Sequence, residues 1–358
     1  TFASIMRNIA LSIPAFTIED EEALVACLRT GWVMQGPRVK EFEESFAKFV
    51  GADYAVAVTS CTTALHLALL VLGIGPGDEV IVPSFSWVAT ANAVEFVGAK
   101  VKFVDVDETF NINCDLIEAA ITPKTRALFI CNPNNPSGYV YSKEEIEALG
   151  SLAIKHNIFL IVDEVYREFI HEGKAHYSVM QNEAWSEHAI MIDSVSKRYS
   201  MCGARVGCIV SRNKELMKMA LKFAHLRLSP PAYALIASEA ALDAPSSYLE
   251  GVVAEYTHRR NVLIAALEKI PNLAVSHPMG AFYCMVKLPV EDAEDFSQFL
   301  LNDFHDKHQT VMLAPATGFY STPQIGKNEV RIAFVLGAEK LKRAAEILEK
   351  ALQVYNKS

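Results

Sequence analysis

Four stretches of this chain place polar and reactive side chains directly behind short apolar runs. Behind Tyr54–Val58 comes Thr59-Ser60-Cys61-Thr62-Thr63, opening a helical pattern. A helix start leaves backbone N–H groups unpaired, so the backbone around Cys61 with the hydroxyls of Ser60 and Thr62 reads as a seat for an anion such as phosphate. Behind Ala127–Cys131 comes Asn132-Pro133-Asn134-Asn135-Pro136-Ser137-Gly138, whose prolines and glycine fix a turn and aim an amide inward. Asp163-Glu164-Val165-Tyr166 follows Phe159–Val162. Asp193-Ser194-Val195-Ser196-Lys197 follows Ala189–Ile192, with Gly203-Ala204-Arg205-Val206-Gly207 just beyond. Each residue also has a purely structural reading: Asp163 as a helix cap, Lys197 as a solvated lysine, Tyr166 as a core tyrosine, Asn135 as a turn amide.

What makes these positions converge is the element pattern. Apolar runs at Tyr54–Val58, Glu79–Val82, Val101–Val104, Ala127–Cys131, Phe159–Val162, Ala189–Ile192 and Val206–Val210 alternate with helical stretches, the signature of an α/β fold with a mostly parallel central sheet and helices on both faces. In such a sheet ligands bind beyond the carboxyl ends of the strands, where the four stretches lie. One crossover helix is signalled by a capping box, Ser142 with Glu145, ahead of Ile146, Leu149 and Leu152. From about Ser246 the pattern changes to a long helix through Ile270, runs at Phe282–Val286, Thr310–Leu313 and Val330–Val335, and a final helix Ala338–Tyr355, which reads as a smaller α+β unit. The expected organisation is a helical segment over 1–50 with a turn at Gly36-Pro37, a large unit over 51–245 and a small one over 246–358. Pattern alone does not say which unit the first segment packs against.

Composition narrows the function. The 358 residues are 51% hydrophobic and 21% charged, enough apolar material for a large core. With 33 basic against 42 acidic residues the formal charge is -9, and no basic run offers a footprint for nucleic acid. No apolar stretch approaches the ~20 residues of a membrane span, and Thr1 to Arg7 is not followed by the pattern of a secretory signal; Met6 is a candidate natural start. The 7 cysteines are scattered with no Cys-x-x-Cys pair, which points away from zinc and disulfides and toward a reducing cytoplasm.

Asn-Pro-Asn-Asn-Pro-Ser-Gly, Asp-Glu-Val-Tyr and Ser-Val-Ser-Lys with Gly-Ala-Arg-Val-Gly, in this order, resemble the class I aminotransferases of fold type I, which use pyridoxal 5'-phosphate (PLP). The likeness runs from about residue 131 to the end and is nearest the bacterial aspartate enzymes, through Gly280-Ala281-Phe282-Tyr283 and Asn328-Glu329-Val330-Arg331-Ile332. Residues ~6–130 resemble instead the DegT-type sugar aminotransferases, through Thr30-Gly31-Trp32, Val56 to Leu67 and Pro83 to Thr90. A mosaic or engineered chimera joined near Ile130 is therefore an expectation. The resemblance implies that Lys197 holds PLP and moves the substrate proton, that Asp163 pairs with the ring nitrogen, and that Tyr166 and Asn135 hydrogen-bond the ring's phenolic oxygen. It also implies a phosphate site of Ser60, Cys61, Thr62, Ser194, Ser196 and Arg205, with Trp87 stacked on the ring and Arg331 holding the substrate α-carboxylate. Cys61 stands where both families usually carry glycine, so crowding of the phosphate is expected.

The function so implied is transfer of an amino group from an L-amino acid, aspartate first, to a 2-oxo acid such as 2-oxoglutarate, by a homodimer. The alternatives are a sugar-nucleotide aminotransferase, a PLP lyase or decarboxylase, a cofactor-binding regulator, and a mosaic with little activity.

Overall fold

The early apolar runs are short, rich in Val and Ile, and closed by turn residues, so they form strands. In a computed structural model, which describes residues 17–107, 112 and 114–357, these are β1 (Tyr54–Val58), β2 (Glu79–Pro83), β3 (Lys100–Val104), β4 (Thr125–Cys131), β5 (Phe159–Asp163), β6 (Ala189–Ser194) and β7 (Gly207–Ser211). They make one sheet in the order β1-β7-β6-β5-β4-β2-β3. Strands β2 to β6 pair in parallel, and β7 runs antiparallel between β1 and β6.

Side chains alternate across each strand, which produces two cores. Ala55, Ala57, Leu160 and Val162 face one apolar cluster; Val56, Val58 and Ile161 face the other. The first is closed by α2 (Pro37–Val50) through Phe42 and Phe46, by α6 (Lys143–His156) and by α9 (Ala232–Leu242). The second is closed by α3 (Cys61–Val71), α4 (Val88–Phe96) and α8 (Lys214–Arg227). Helices α1 (Ile18–Arg29), α5 (Cys114–Ala120) and the single turn α7 (Val195–Arg198) complete this part. Ser142 and Glu145 form the expected capping box at the start of α6. The segment before residue 51 packs on the large sheet through α2, which begins at Pro37 and ends at Gly51 in the left-handed region (φ 69°). Residues 1–16, and with them Met6 and the start of the expected helical segment, lie outside the described residues.

A third apolar cluster surrounds a second sheet, ordered β10-β11-β9-β8, made by β8 (Ala274–Val275), β9 (Tyr283–Lys287), β10 (Ala314–Pro315) and β11 (Glu329–Ala333). It is covered by α10 (Ser246–Leu267), α11 (Ala293–Asn302) and α12 (Ala338–Tyr355). The strand expected over Thr310–Leu313 does not form there. Its apolar residues Val311 and Leu313 pack on the third cluster, but the Thr310 hydroxyl is bonded to the Leu300 carbonyl (2.6 Å), and strand pairing begins only at Ala314, opposite Arg331. Among the described residues no helix is long and apolar enough to cross a membrane.

Candidate active site

Parallel register brings the ends of three strands level. Cys131 pairs with Asp163 across β4 and β5, and Asp163 with Ile192 across β5 and β6. The asparagine turn, the acidic turn and the lysine turn therefore stand side by side. Because β7 runs the other way, its first residue, Gly207, pairs with both Val58 and Ser194 and adds the anion seat at the end of β1 to the row. A Cβ at Gly207 would meet Ser60 C at 2.7 Å and Cys61 N at 2.9 Å, so glycine is what lets β7 approach the start of α3.

All the sequence-selected residues line one cavity of about 320 Å³. At one side stand Ser60, Cys61, Thr62, Ser194, Ser196 and Arg205. Ser60 caps α3 by accepting from the Thr63 N–H (3.1 Å), and the Ser194 hydroxyl caps α7 from the Ser196 N–H (3.0 Å) while donating to the Val206 carbonyl (2.7 Å). These two hydroxyls thus shape the helix starts; the Ser196 hydroxyl lies 2.7 Å from that of Ser194, and Thr62 and the backbone at Cys61 are left to face an anion. Arg205 adjoins them in the left-handed region (φ 58°), a conformation that costs about 1 kcal/mol for a side-chain-bearing residue, and donates to the Cys202 carbonyl (2.8 Å). Burial pushes the Cys61 thiol well above its usual range, so it sits beside the seat uncharged.

At the other side is Asp163, its Oδ1 accepting from the Val165 N–H (3.1 Å). Burial, helped by the nearby Asp193 carboxyl, raises its pKa to about 7 against the pull of that hydrogen bond and of Lys197. A desolvated acid of this kind fits a cationic ring nitrogen. Between the two sides, Asn135 accepts from Arg331 Nη1 through its Oδ1 (2.8 Å), which leaves its amide N–H groups for the cavity. Lys197, on α7, places Nζ 6.0 Å from the Tyr166 ring and 5.9 Å from the Phe282 ring. Next to it the buried Arg198 bonds Asp193 Oδ2 (2.6 Å) and lies 2.9 Å from Glu168, fastening the lysine turn to the segment that follows Tyr166. Anion seat, ring-nitrogen acid, amide donor and lysine are the donor set of a group carrying a phosphate at one end and a basic ring at the other, and they fit it.

Trp87 lies at the edge of this cavity, 42% exposed, facing the Arg331 guanidinium (5.4 Å) and the Phe319 ring (5.9 Å). Lys197, Tyr283 and Arg331 also line a larger hollow of about 820 Å³, walled by Tyr248, Val252, Tyr256 and Leu336. Sequence reasoning gave no role to Tyr283, Phe319 or Arg198. Tyr283 was visible inside the motif Gly280-Ala281-Phe282-Tyr283, but its place depends on how β9 pairs with β11.

A sequence profile of the family described as Aminotransferase class I and II matches residues 31–348. The chain belongs to the class I and II aminotransferases. It is 29% identical over 326 residues to the aspartate aminotransferase of Bacillus subtilis (strain 168), covering 87% of this chain and 80% of that protein. It is 30% identical over 320 residues to aromatic-amino-acid aminotransferase 2 of Thermococcus litoralis, covering 87% and 80%. Among solved structures, the Thermus thermophilus aspartate aminotransferase with maleate superposes with a TM-score of 0.82 at 28% identity, covering 93% of this chain and 87% of that one. The aminotransferase is thus an enzyme that moves amino groups between amino and 2-oxo acids. The family match runs unbroken through residue 131, where the two resemblances met, and gives no support to a division of the chain into parts of different origin.

Proposed function

We propose that this aminotransferase uses PLP held by Lys197 to transfer the amino group of L-aspartate to 2-oxoglutarate. The observation that carries the reading is the convergence of the predicted cofactor residues on one cavity, opposite an Arg331 that spans to it from the second sheet. PLP, when bound, supplies an electron sink and a carbonyl that carries the amino group between two half-reactions. The start of α3, with Thr62, Ser196 and Arg205, holds its phosphate. Asp163 keeps the ring nitrogen protonated, and a cationic partner there lowers the raised pKa of this acid. Tyr166 and Asn135 donate to the ring's phenolic oxygen. Trp87, at the cavity edge, would cover the ring.

Lys197 Nζ, freed when substrate displaces it, would take the substrate α-proton and deliver it to the cofactor's aldehyde carbon, with the reverse transfer in the second half-reaction. Arg331 grips the α-carboxylate with its planar fork, a feature suited to amino acids and not to sugars. Lys340 lines the larger hollow, as does Arg259 in a 2.7 Å pair with Glu255; the preference for an acidic side chain rests on relatives named for aspartate and a neighbour solved with maleate. We place the enzyme in the cytoplasm as a homodimer. Among the described residues six cysteines are free thiols, and Leu28, Trp32, Val33 and Met34 are exposed apolar side chains that a second subunit can cover.

The test is glutamate formation from 2-oxoglutarate with L-aspartate, L-phenylalanine and an amino-sugar nucleotide as competing donors. L-Aspartate is expected to give the highest kcat/KM. An aromatic donor ahead by tenfold overturns the aspartate assignment alone, and turnover of the sugar donor only overturns the amino-acid reading.

A further inference from the structure

Tyr283 touches both halves of the site. It is 7% exposed, lines the cofactor cavity and the larger hollow, and stands at the head of β9. Its hydroxyl lies 3.0 Å from that of Tyr166. Its ring lies 4.2 Å from the Arg331 guanidinium carbon, nearer than the rings of Phe319 (5.0 Å) or Trp87 (5.4 Å). Register explains the second contact. Arg331 on β11 pairs with Met285 on β9, and residues two apart on a strand share a face, so Tyr283 stands on the face of Arg331.

We infer that Tyr283 is a positioning residue with two separable roles: its hydroxyl donates to Tyr166, turning the Tyr166 proton into the cofactor cavity, and its ring sets the plane of the Arg331 guanidinium. The inference rests on the PLP reading above. A phenol has one proton to give, so in a buried pair one hydroxyl donates and the other accepts. Donation from Tyr166 to Tyr283 would turn lone pairs toward the anionic oxygen of the cofactor ring. Donation from Tyr283 leaves the Tyr166 proton for that oxygen and strengthens it, because a hydroxyl that accepts is a better donor. Burial, with Tyr283 alongside, holds the Tyr166 phenol well above its usual range, so it stays a donor at neutral pH. On the substrate side, Arg331 Nη1 is taken by Asn135, and Nε is buried without a hydrogen-bond partner. Ring faces therefore hold that end of the guanidinium, through the attraction of a cation to an aromatic quadrupole.

The two roles separate in two variants, Tyr283→Phe and Tyr283→Leu, each reconstituted with PLP beside the parent. The readouts are the pH midpoint of the bound cofactor's visible absorbance and the KM for L-aspartate. Tyr283→Phe keeps the ring, so its midpoint rises by about half a unit while KM stays within about twofold. Tyr283→Leu shows the same rise, and its KM increases roughly fivefold or more. A parental midpoint in Tyr283→Phe overturns the hydroxyl role, and a parental KM in Tyr283→Leu overturns the ring role. A parent protein with no Lys197-dependent visible band overturns the cofactor reading and this inference with it, a result distinct from either variant behaving like its parent.

Discussion

Asp163 shows how a single residue carries a cost in the folded protein, one that a cationic ring nitrogen would relieve. Its carboxyl is enclosed at the end of β5, and burial lifts its pKa from an ordinary 3.8 to about 7. The folded chain then binds a proton that the unfolded chain has released, so stability falls as pH rises from about 4 through 7. In the cofactor-free protein, Asp163→Asn keeps the acceptor for the Val165 N–H and removes the charge. The variant is expected to match the parent near pH 4 and to exceed it above pH 7 by on the order of 2–4 kcal/mol, read from thermal melting across that range. Parallel melting curves for the two proteins would mean that Asp163 is not the desolvated acid the site requires. With PLP bound the ranking reverses, because the amide offers no charge to the ring nitrogen.

At the scale of elements, the site exists because an antiparallel β7 brings Gly207 against the start of α3. Gly207→Ala would place a methyl group 2.7 Å from Ser60 C and 2.9 Å from Cys61 N, both backbone atoms that cannot swing aside. It is expected to weaken PLP binding about tenfold or more, from roughly 1–3 kcal/mol of overpacking. Gly203→Ala, whose added Cβ meets nothing within 4 Å, serves as the near-neutral comparison. Equal PLP dissociation constants for the two variants, measured by fluorescence titration, would contradict this account of the anion seat.

The same element explains what a reader of the sequence could find. The seven apolar runs were legible because short runs of Val and Ile bounded by turn residues specify buried strands, and the reactive residues follow them directly. Pairing partners were not legible. Thr310–Leu313 has the apolar content of a strand, yet burial of Val311 and Leu313 is met by packing, and no backbone ladder forms until Ala314. Tyr283 escaped for a related reason: its contact with Arg331 follows from β9–β11 register, between residues far apart in the chain. Arg198, beside Lys197 in sequence, looks like a surface cation until Asp193 and Glu168 are seen to enclose it.

At the scale of the molecule, the two sheets meet across the site. Arg331 reaches Asn135, Tyr283 reaches Tyr166, and an isolated bridge pairs Ile170 with Gly280. On the proposed reading, substrate carboxylate and cofactor would be held by different sheets, joined by direct contacts between side chains. The family match across residues 31–348 covers both sheets.

The central claim is that Lys197 carries PLP in a site that aminates it. The visible absorption spectrum of the purified protein with PLP, recorded beside Lys197→Ala before and after L-aspartate, tests this directly. The expected result is a visible band that requires Lys197, that gives way to the aminated form of the cofactor on addition of L-aspartate, and that returns with 2-oxoglutarate. A band of equal strength in Lys197→Ala, or one in the parent that no amino acid alters, would contradict it.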